Sequence, residues 1–240
     1  MFDLESFTLT QMIQLQSALR KLGSNAQNME EAADRIVRHL YGSFVSRQNS
    51  QQACVLVRLF KTHSYGELDE TLRRFADTML GTAKASPAMK CLVLLASAGE
   101  KPEWNSRSGS AGHKAIPLPS EKAIESFPMI SSLLSQLGLS AEILLKTDPT
   151  FIIDTEQSSF NVFHVHEAEG SPYVPAQQEF VIPYGVKSVI GFGGLLPSAD
   201  LFAVIMFSRV RIPRDTAELF KPLALSAKLA IIPFADRVFA

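Results

Sequence analysis

The chain has 240 residues, and its 23 basic side chains nearly balance its 24 acidic ones, for a formal net charge of −1. The chain therefore has no excess of positive charge that would attract a polyanion, and general nucleic-acid binding is disfavoured. No apolar run approaches the roughly 18 residues of a membrane span, and the acidic N-terminal residues do not resemble a secretory signal. Cys54 and Cys91 lie in apolar runs and are expected to be core residues of a reduced, cytoplasmic protein.

Two amphipathic helices are predicted at the start of the chain. Apolar residues recur at helical spacing from Leu9, and Gly23 ends the first helix. Residues 29–44 carry a second apolar stripe, and Asn28 followed by Glu31 is typical of a helix N-cap. Two such helices before any strand need a surface to pack against, which is either the domain behind them or a second copy of the chain.

Strands and helices then follow in irregular order. Short apolar runs predict buried strands at 53–60 and 89–97, with a helix over 68–79 between them. A polar loop at 99–112 precedes a shorter strand at 113–118.

A kinked helix and two strands are predicted next. Ser120 caps the helix and Gly138 ends it, while Pro128 within it predicts a kink or a late start. The two strands are expected near 151–154 and 160–166.

The last third contains a hairpin and a closing helix. The predicted elements are a Pro-rich connection at 171–175, a strand at 180–183, a hairpin of 186–194 with 201–210, and a helix from 215 to about 232. Asp215 and Glu218 are spaced as in a capping box at the start of that helix. Because strands and helices do not alternate regularly, we predict an α+β fold with a central antiparallel sheet and helices packed on it.

His164 and His166 form the most conspicuous polar pair. Residues two apart on a strand share a face, so both imidazoles could meet one metal ion. A metal site needs a third ligand, and the neighbouring Glu167 points to the other face. Packed or solvated imidazoles are therefore favoured over metal ligands.

Other motifs do not predict catalysis. Gly191, Gly193 and Gly194 are followed by a turn and a strand rather than by a helix, so they indicate close backbone approach and not a phosphate loop. Cys54 has no basic neighbour in sequence and Cys91 follows Lys90, but both lie in runs that predict burial, and no nucleophile-elbow motif is present. Trp104 lies in a polar loop, where it either covers a pocket, contacts a partner or packs back onto the sheet.

The order of these elements resembles a GAF domain, a PAS-like sensory module with a central antiparallel sheet. The most specific part is residues 180–234, FVIPYGVKSVIGFGGLLPSADLFAVIMFSRVRIPRDTAELFKPLALSAKLAIIPF. This run is similar to the N-terminal GAF-like sensory region of bacterial multidomain histidine kinases and related PAS-containing signalling proteins. The resemblance covers residues 25–240, with residues 1–24 as an N-terminal helix for dimerisation or linkage.

The resemblance implies a regulatory domain without catalysis, which binds an unidentified small molecule between sheet and helices. It also implies a homodimer and a downstream kinase or PAS module in the same chain. The apolar, helix-like last residues are expected to continue towards that module. The residues expected to line the pocket are Trp104, Phe163, His164, His166, Tyr184 and Phe192. The alternatives are a ligand-free dimerisation module, or a metal- or haem-binding protein that uses the two histidines.

Overall fold

A six-stranded antiparallel sheet forms the centre of the computed structural model, which describes residues 1–47, 51–145 and 161–239. The described strands are β1 (Phe2–Asp3), β2 (Phe44–Val45), β3 (Cys54–Ser64), β4 (Lys90–Gly99), β5 (Ala115–Leu118), β6 (Val162–Val165), β7 (Ser188–Leu195) and β8 (Leu201–Ser208). The sheet order is β5-β4-β3-β8-β7-β6, whereas β1 and β2 form a separate parallel pair.

Helices pack on both faces of this sheet. The described α-helices are α1 (Leu9–Lys21), α2 (Met29–Ser43), α3 (Glu70–Leu80), α4 (Glu121–Glu125), α5 (Pro128–Leu137), α6 (Ala141–Leu145), α7 (Arg214–Glu218) and α8 (Lys221–Ile231). The predicted α+β architecture is thereby confirmed. Within the described residues, no helix is long and apolar enough to cross a membrane.

The sheet separates two hydrophobic cores. On the first face, α2 packs on β3 and β4, α8 packs on β7, and α1 lies against α8. Phe44, Phe192 and Phe220 are fully buried there, and the Phe44 and Phe220 rings lie 5.6 Å apart. On the second face, α5 packs on β6 and β7, together with residues 168–186. The first core is filled by aromatic side chains.

The predicted start of α2 agrees with the capping observed. The Asn28 side chain accepts a hydrogen bond from the Glu31 backbone N–H at 2.8 Å at the start of α2. The helix predicted after Ser120 is interrupted, and α5 begins at Pro128 because proline cannot donate the hydrogen bond that would continue α4. The strand predicted near 151–154 lies outside the described residues.

The strand predicted at 180–183 was wrong. Residues Gln177–Val181 form a π-helical turn, which follows Ala176 in the left-handed conformation at φ 57°. The Gln177 side-chain amide donates to the carbonyl oxygens of Ala168 and Val174 at 3.0 and 2.8 Å. These local bonds satisfy the backbone of the loop without a neighbouring strand.

The prediction of a single closing helix was also wrong in detail. Helices α7 and α8 are separate, because Pro222 near the start of α8 lacks the N–H that would continue α7. Pro213 occupies the N-cap without a side-chain bond, and the Glu218 carboxylate pairs instead with Arg214 at 2.5 Å. The predicted capping box is therefore absent from α7.

The last described residues do not continue the helix. Helix α8 ends at Ile231 and is followed by a 3-10 turn, Ile232–Phe234. The chain then packs against the start of α2, where the Met29 N–H donates to the Arg237 carbonyl oxygen at 2.9 Å. The expectation of a helix running on through residue 239 was wrong, since this backbone bonds back to the domain.

Candidate functional site

An apolar cavity of about 330 Å³ lies between the second face of the sheet and α5. Its lining comes from four strands, from the start of α5 and from two loops: Arg58, Phe60, Leu92, His113, Ile116, Phe127, Pro128, Met129, Ile130, Leu133, Pro172, Pro175, Ala203, Ile205 and Phe207. An engineered apolar cavity of about 150 Å³ is enough to bind benzene. The space found here therefore accommodates a larger organic molecule.

Strand alternation builds the floor of the cavity. Ile205 and Phe207 of β8 line it, whereas Val204 and Met206 pack into the core on the opposite face. This pattern follows from the period of two along a strand. The late start of α5 at Pro128 places apolar side chains above that floor.

Arg58 is the one charged residue of the lining described. Its Nη2 lies 3.2 Å from the Ser110 hydroxyl oxygen, to which it donates. Its Nε is buried without a hydrogen-bond partner, and no acidic side chain of the described residues pairs with the guanidinium. Burial lowers the pKa of Arg58 to about 10, so the side chain is still positively charged at neutral pH.

Two further polar groups, Ser97 and His113, lie near Arg58, and of these two His113 belongs to the cavity lining. Ser97 of β4 is the register partner of Arg58, so both side chains stand on the same face of the sheet. The Ser97 hydroxyl is buried and has no hydrogen-bond partner. His113 lines the cavity, and desolvation together with the charge of Arg58 lowers the pKa of its imidazole. The cavity thus has one polar end and otherwise apolar walls.

The six residues predicted for the pocket are not brought together in the structure, and none lines this cavity. Trp104 and Tyr184 contact each other, with ring centroids 4.8 Å apart, beside Phe180. Phe163 is a buried core residue on the cavity side of the sheet. Phe192 packs in the opposite core, 6.1 Å from the Phe220 ring centroid.

His164 and His166 are held by the backbone. Their ring nitrogens donate to the same Ile212 carbonyl oxygen, at 2.9 and 3.3 Å. Among the residues described, no cluster of three histidine, cysteine or acidic side chains could hold a metal ion. Both imidazoles are thus bonded to one backbone carbonyl group.

The cysteines are core residues, as predicted. Cys54 and Cys91 are free and buried, and burial raises the pKa of each thiol to about 12. Neither is a thiolate at neutral pH, which is the nucleophilic form of the group.

A second polar cluster lies away from the cavity, at the end of the β7–β8 hairpin. The Asp200 carboxylate accepts hydrogen bonds from Lys61 Nζ at 2.8 Å and Lys90 Nζ at 2.9 Å. Burial opposes the charge on Asp200, but the two ammonium groups outweigh it and hold the pKa of the carboxyl below its usual range. The Thr62 hydroxyl also donates a hydrogen bond to Asp200. The next residue, His63, has a buried Nε2 without a hydrogen-bond partner.

No family model matches the chain, and no curated protein sequence matches it. Several solved structures are similar. A free methionine-R-sulfoxide reductase from Neisseria meningitidis, solved with its substrate, is 11% identical with a TM-score of 0.50, and the match covers 95% of this chain and 91% of that one. At this identity the likeness shows a shared fold alone.

Two GAF domains are also similar in structure. One, from a phosphoenolpyruvate-protein phosphotransferase of Coxiella burnetii, is 10% identical with a TM-score of 0.43, and 93% of each chain is covered. The other is the phycocyanobilin-bound GAF domain of a cyanobacterial phytochrome, 10% identical with a TM-score of 0.45, covering 95% of this chain and 96% of that one.

Proposed function

We propose that this chain is a GAF-like regulatory domain that binds a small molecule in the cavity between the sheet and α5. The observation that carries the proposal is the cavity of about 330 Å³, whose walls are apolar except at one end. Ligand sites in proteins are concave, mostly apolar and equipped with a few placed polar groups. Arg58 and His113 provide such groups here.

The similarity of residues 180–234 to GAF-like sensory regions supports a regulatory role without catalysis. The described lining of the cavity contains no cysteine, serine or acidic side chain that could act as a nucleophile. A histidine kinase or PAS module in the same chain is the output that this similarity implies. The ligand would then be a signal rather than a substrate.

A homodimer through α1 and α8 is the second part of the proposal. Leu9 and Ile13 of α1 are 59% and 55% exposed, and Leu225 and Leu229 of α8 are 36% and 47% exposed. In each helix the two leucine or isoleucine side chains are four residues apart and so lie on one face. Exposed apolar side chains grouped in this way are typical of an interface.

Strand β8 offers a physical route from the ligand to that interface. Its Ile205 and Phe207 line the cavity, while Val204 and Met206 pack in the core that α2 and α8 cover. We expect each packing of β8 to go with one arrangement of the helices. A ligand that binds one packing more tightly would then shift the population towards that arrangement, by as much as its affinities for the two differ.

The test is binding of the neutral apolar fluorophore N-phenyl-1-naphthylamine, measured by its fluorescence. The fluorophore should bind the wild type with a stoichiometry of one per chain. Ala203→Leu places a larger side chain in the cavity and should weaken binding about tenfold or more, since the added atoms occupy the ligand's space. Ala83→Leu makes the same change at an exposed position outside the cavity lining; it is the matched control and should bind as the wild type does.

Equal binding by the wild type and Ala203→Leu would show that the fluorophore binds elsewhere and would refute the proposed site. Failure of the wild type to bind would refute the proposal directly. Circular dichroism of each variant would confirm that it is folded.

A further inference from the structure

We infer that the ligand of this cavity is an organic monoanion, an apolar molecule bearing one carboxylate that pairs with Arg58. The inference rests on the proposed function, because it names the class of molecule that the same cavity takes. It depends on one partly buried cation without a partner anion among the described residues and on the polar groups around it.

Arg58 presents an unused donor to the cavity. The side chain lines the cavity, its Nη2 donates to Ser110 at 3.2 Å, and its buried Nε has no acceptor. A partly buried charge without a counter-ion is destabilising, and the buried Nε donor without an acceptor adds to that cost. A carboxylate would remove both costs, because it is a counter-ion and also accepts hydrogen bonds from the guanidinium, often in a bidentate pair.

The groups beside Arg58 fit the same anion. The buried Ser97 hydroxyl has no partner, and strand register sets it on the same face as Arg58. Ser110 is fixed because its hydroxyl donates to the Gly112 carbonyl oxygen at 2.7 Å while accepting from Arg58. The guanidinium is therefore held at one end of the cavity by Ser110, and the Ser97 hydroxyl is a second polar group without a partner beside Arg58.

Charge balance favours a carboxylate over a phosphate. One guanidinium neutralises one negative charge, and the described lining contains no lysine and no second arginine. A dianion would leave a buried charge unpaired in an otherwise apolar space. The remaining walls are aliphatic and aromatic, with Phe60, Ile205 and Phe207 among them, and suit a hydrocarbon body.

The experiment compares acids with their neutral amides. Octanoate with octanamide, and 3-phenylpropanoate with 3-phenylpropanamide, would each displace N-phenyl-1-naphthylamine from the wild type at pH 7.5. The members of each pair differ in charge but hardly in shape. We expect at least one acid to bind about tenfold or more tightly than its amide, as a hydrogen bond to a charged group predicts.

Arg58→Met removes the charge and keeps the length of the side chain. It should abolish the preference for the acid and leave the affinity for the amide within about twofold of the wild type. Arg58→Gln is the second variant, should the first fail to fold. Arg73→Met, which removes an exposed arginine of α3, is the matched control and should retain the preference.

Equal affinity for acid and amide, with no effect of Arg58→Met, would overturn the inference while fluorophore binding still supported the proposed function. Failure of both pairs to displace the fluorophore would also overturn it. Absence of fluorophore binding itself would overturn the proposed function and this inference together. The three failures are thus distinguishable.

Discussion

His63 should make the fold sensitive to mild acid. Its side chain is buried and its Nε2 has no hydrogen-bond partner. Desolvation, followed by the charge of Lys61, lowers the pKa of His63 to about 3 from an ordinary value of 6.5, although Asp200 acts in the opposite direction. Lys90 and Arg107 add further positive charge around the ring. The imidazole is therefore neutral in the folded protein at neutral and mildly acidic pH.

The sign of the effect follows from proton uptake. Between pH 6.5 and about 3 the unfolded chain holds a proton on His63 that the folded chain does not, so the free energy of unfolding falls as pH falls. One pH unit corresponds to about 1.4 kcal/mol, so the 1.5 units between pH 6.5 and pH 5 amount to about 2 kcal/mol.

Replacing His63 by leucine should remove this contribution. The free energies of unfolding of the wild type and of His63→Leu would be measured by urea denaturation at pH 7, 6 and 5. The difference between them should move by about 2 kcal/mol in favour of the variant from pH 7 to pH 5. His166→Gln, which removes an exposed imidazole, is the control for loss of a histidine. A difference that stays constant with pH would show that His63 is protonated in the folded state and would refute the reasoning.

Two further predictions concern the charged cluster and the helix surface. Asp200→Asn leaves Lys61 and Lys90 buried without a counter-ion and should lower the free energy of unfolding by about 3–5 kcal/mol in urea denaturation; a loss under about 1 kcal/mol would mean that the two ammonium groups reach water. Leu229→Glu should convert the proposed dimer to a monomer in analytical ultracentrifugation, whereas Met79→Glu, on α3 and comparably exposed, should not. Dimers retained by Leu229→Glu would place the interface elsewhere.

Periodicity was enough to predict the main helices and the two long strands of the first half of the chain, but not the short pair β1 and β2. The apolar stripe of α2 and the caps at Asn28 and Ser120 are local signals, and the structure agrees with them. The close approach predicted for the strand glycines is also found, since a Cβ on Gly193 would lie 2.1 Å from the Phe202 carbonyl oxygen. These features depend on residues near one another in sequence or on a hairpin partner.

The errors in the sequence-based predictions occur where contacts between distant residues outweigh the local sequence pattern. Residues 180–183 have the composition of a strand, but Gln177 ties the preceding loop to Ala168 and Val174 and leaves the segment helical. The six residues expected in the pocket were selected by side-chain type. Whether a side chain faces the cavity depends on the position of α5 above the sheet. The local sequence pattern carries no information about that position. Phe192, for example, is on a central strand but points into the filled core.

Arg58 is the exception, because its position did carry a signal. It is the sole charged residue of the run 53–60, and alternation along that strand puts it on the same side as Phe60. A charge on the buried side of a central strand is expensive unless something pairs with it. Lys61 forms an ion pair with Asp200, whereas Arg58 has no acidic partner among the described residues. This contrast between two cations three positions apart on one strand is the reason why the proposed ligand site includes Arg58 and not Lys61.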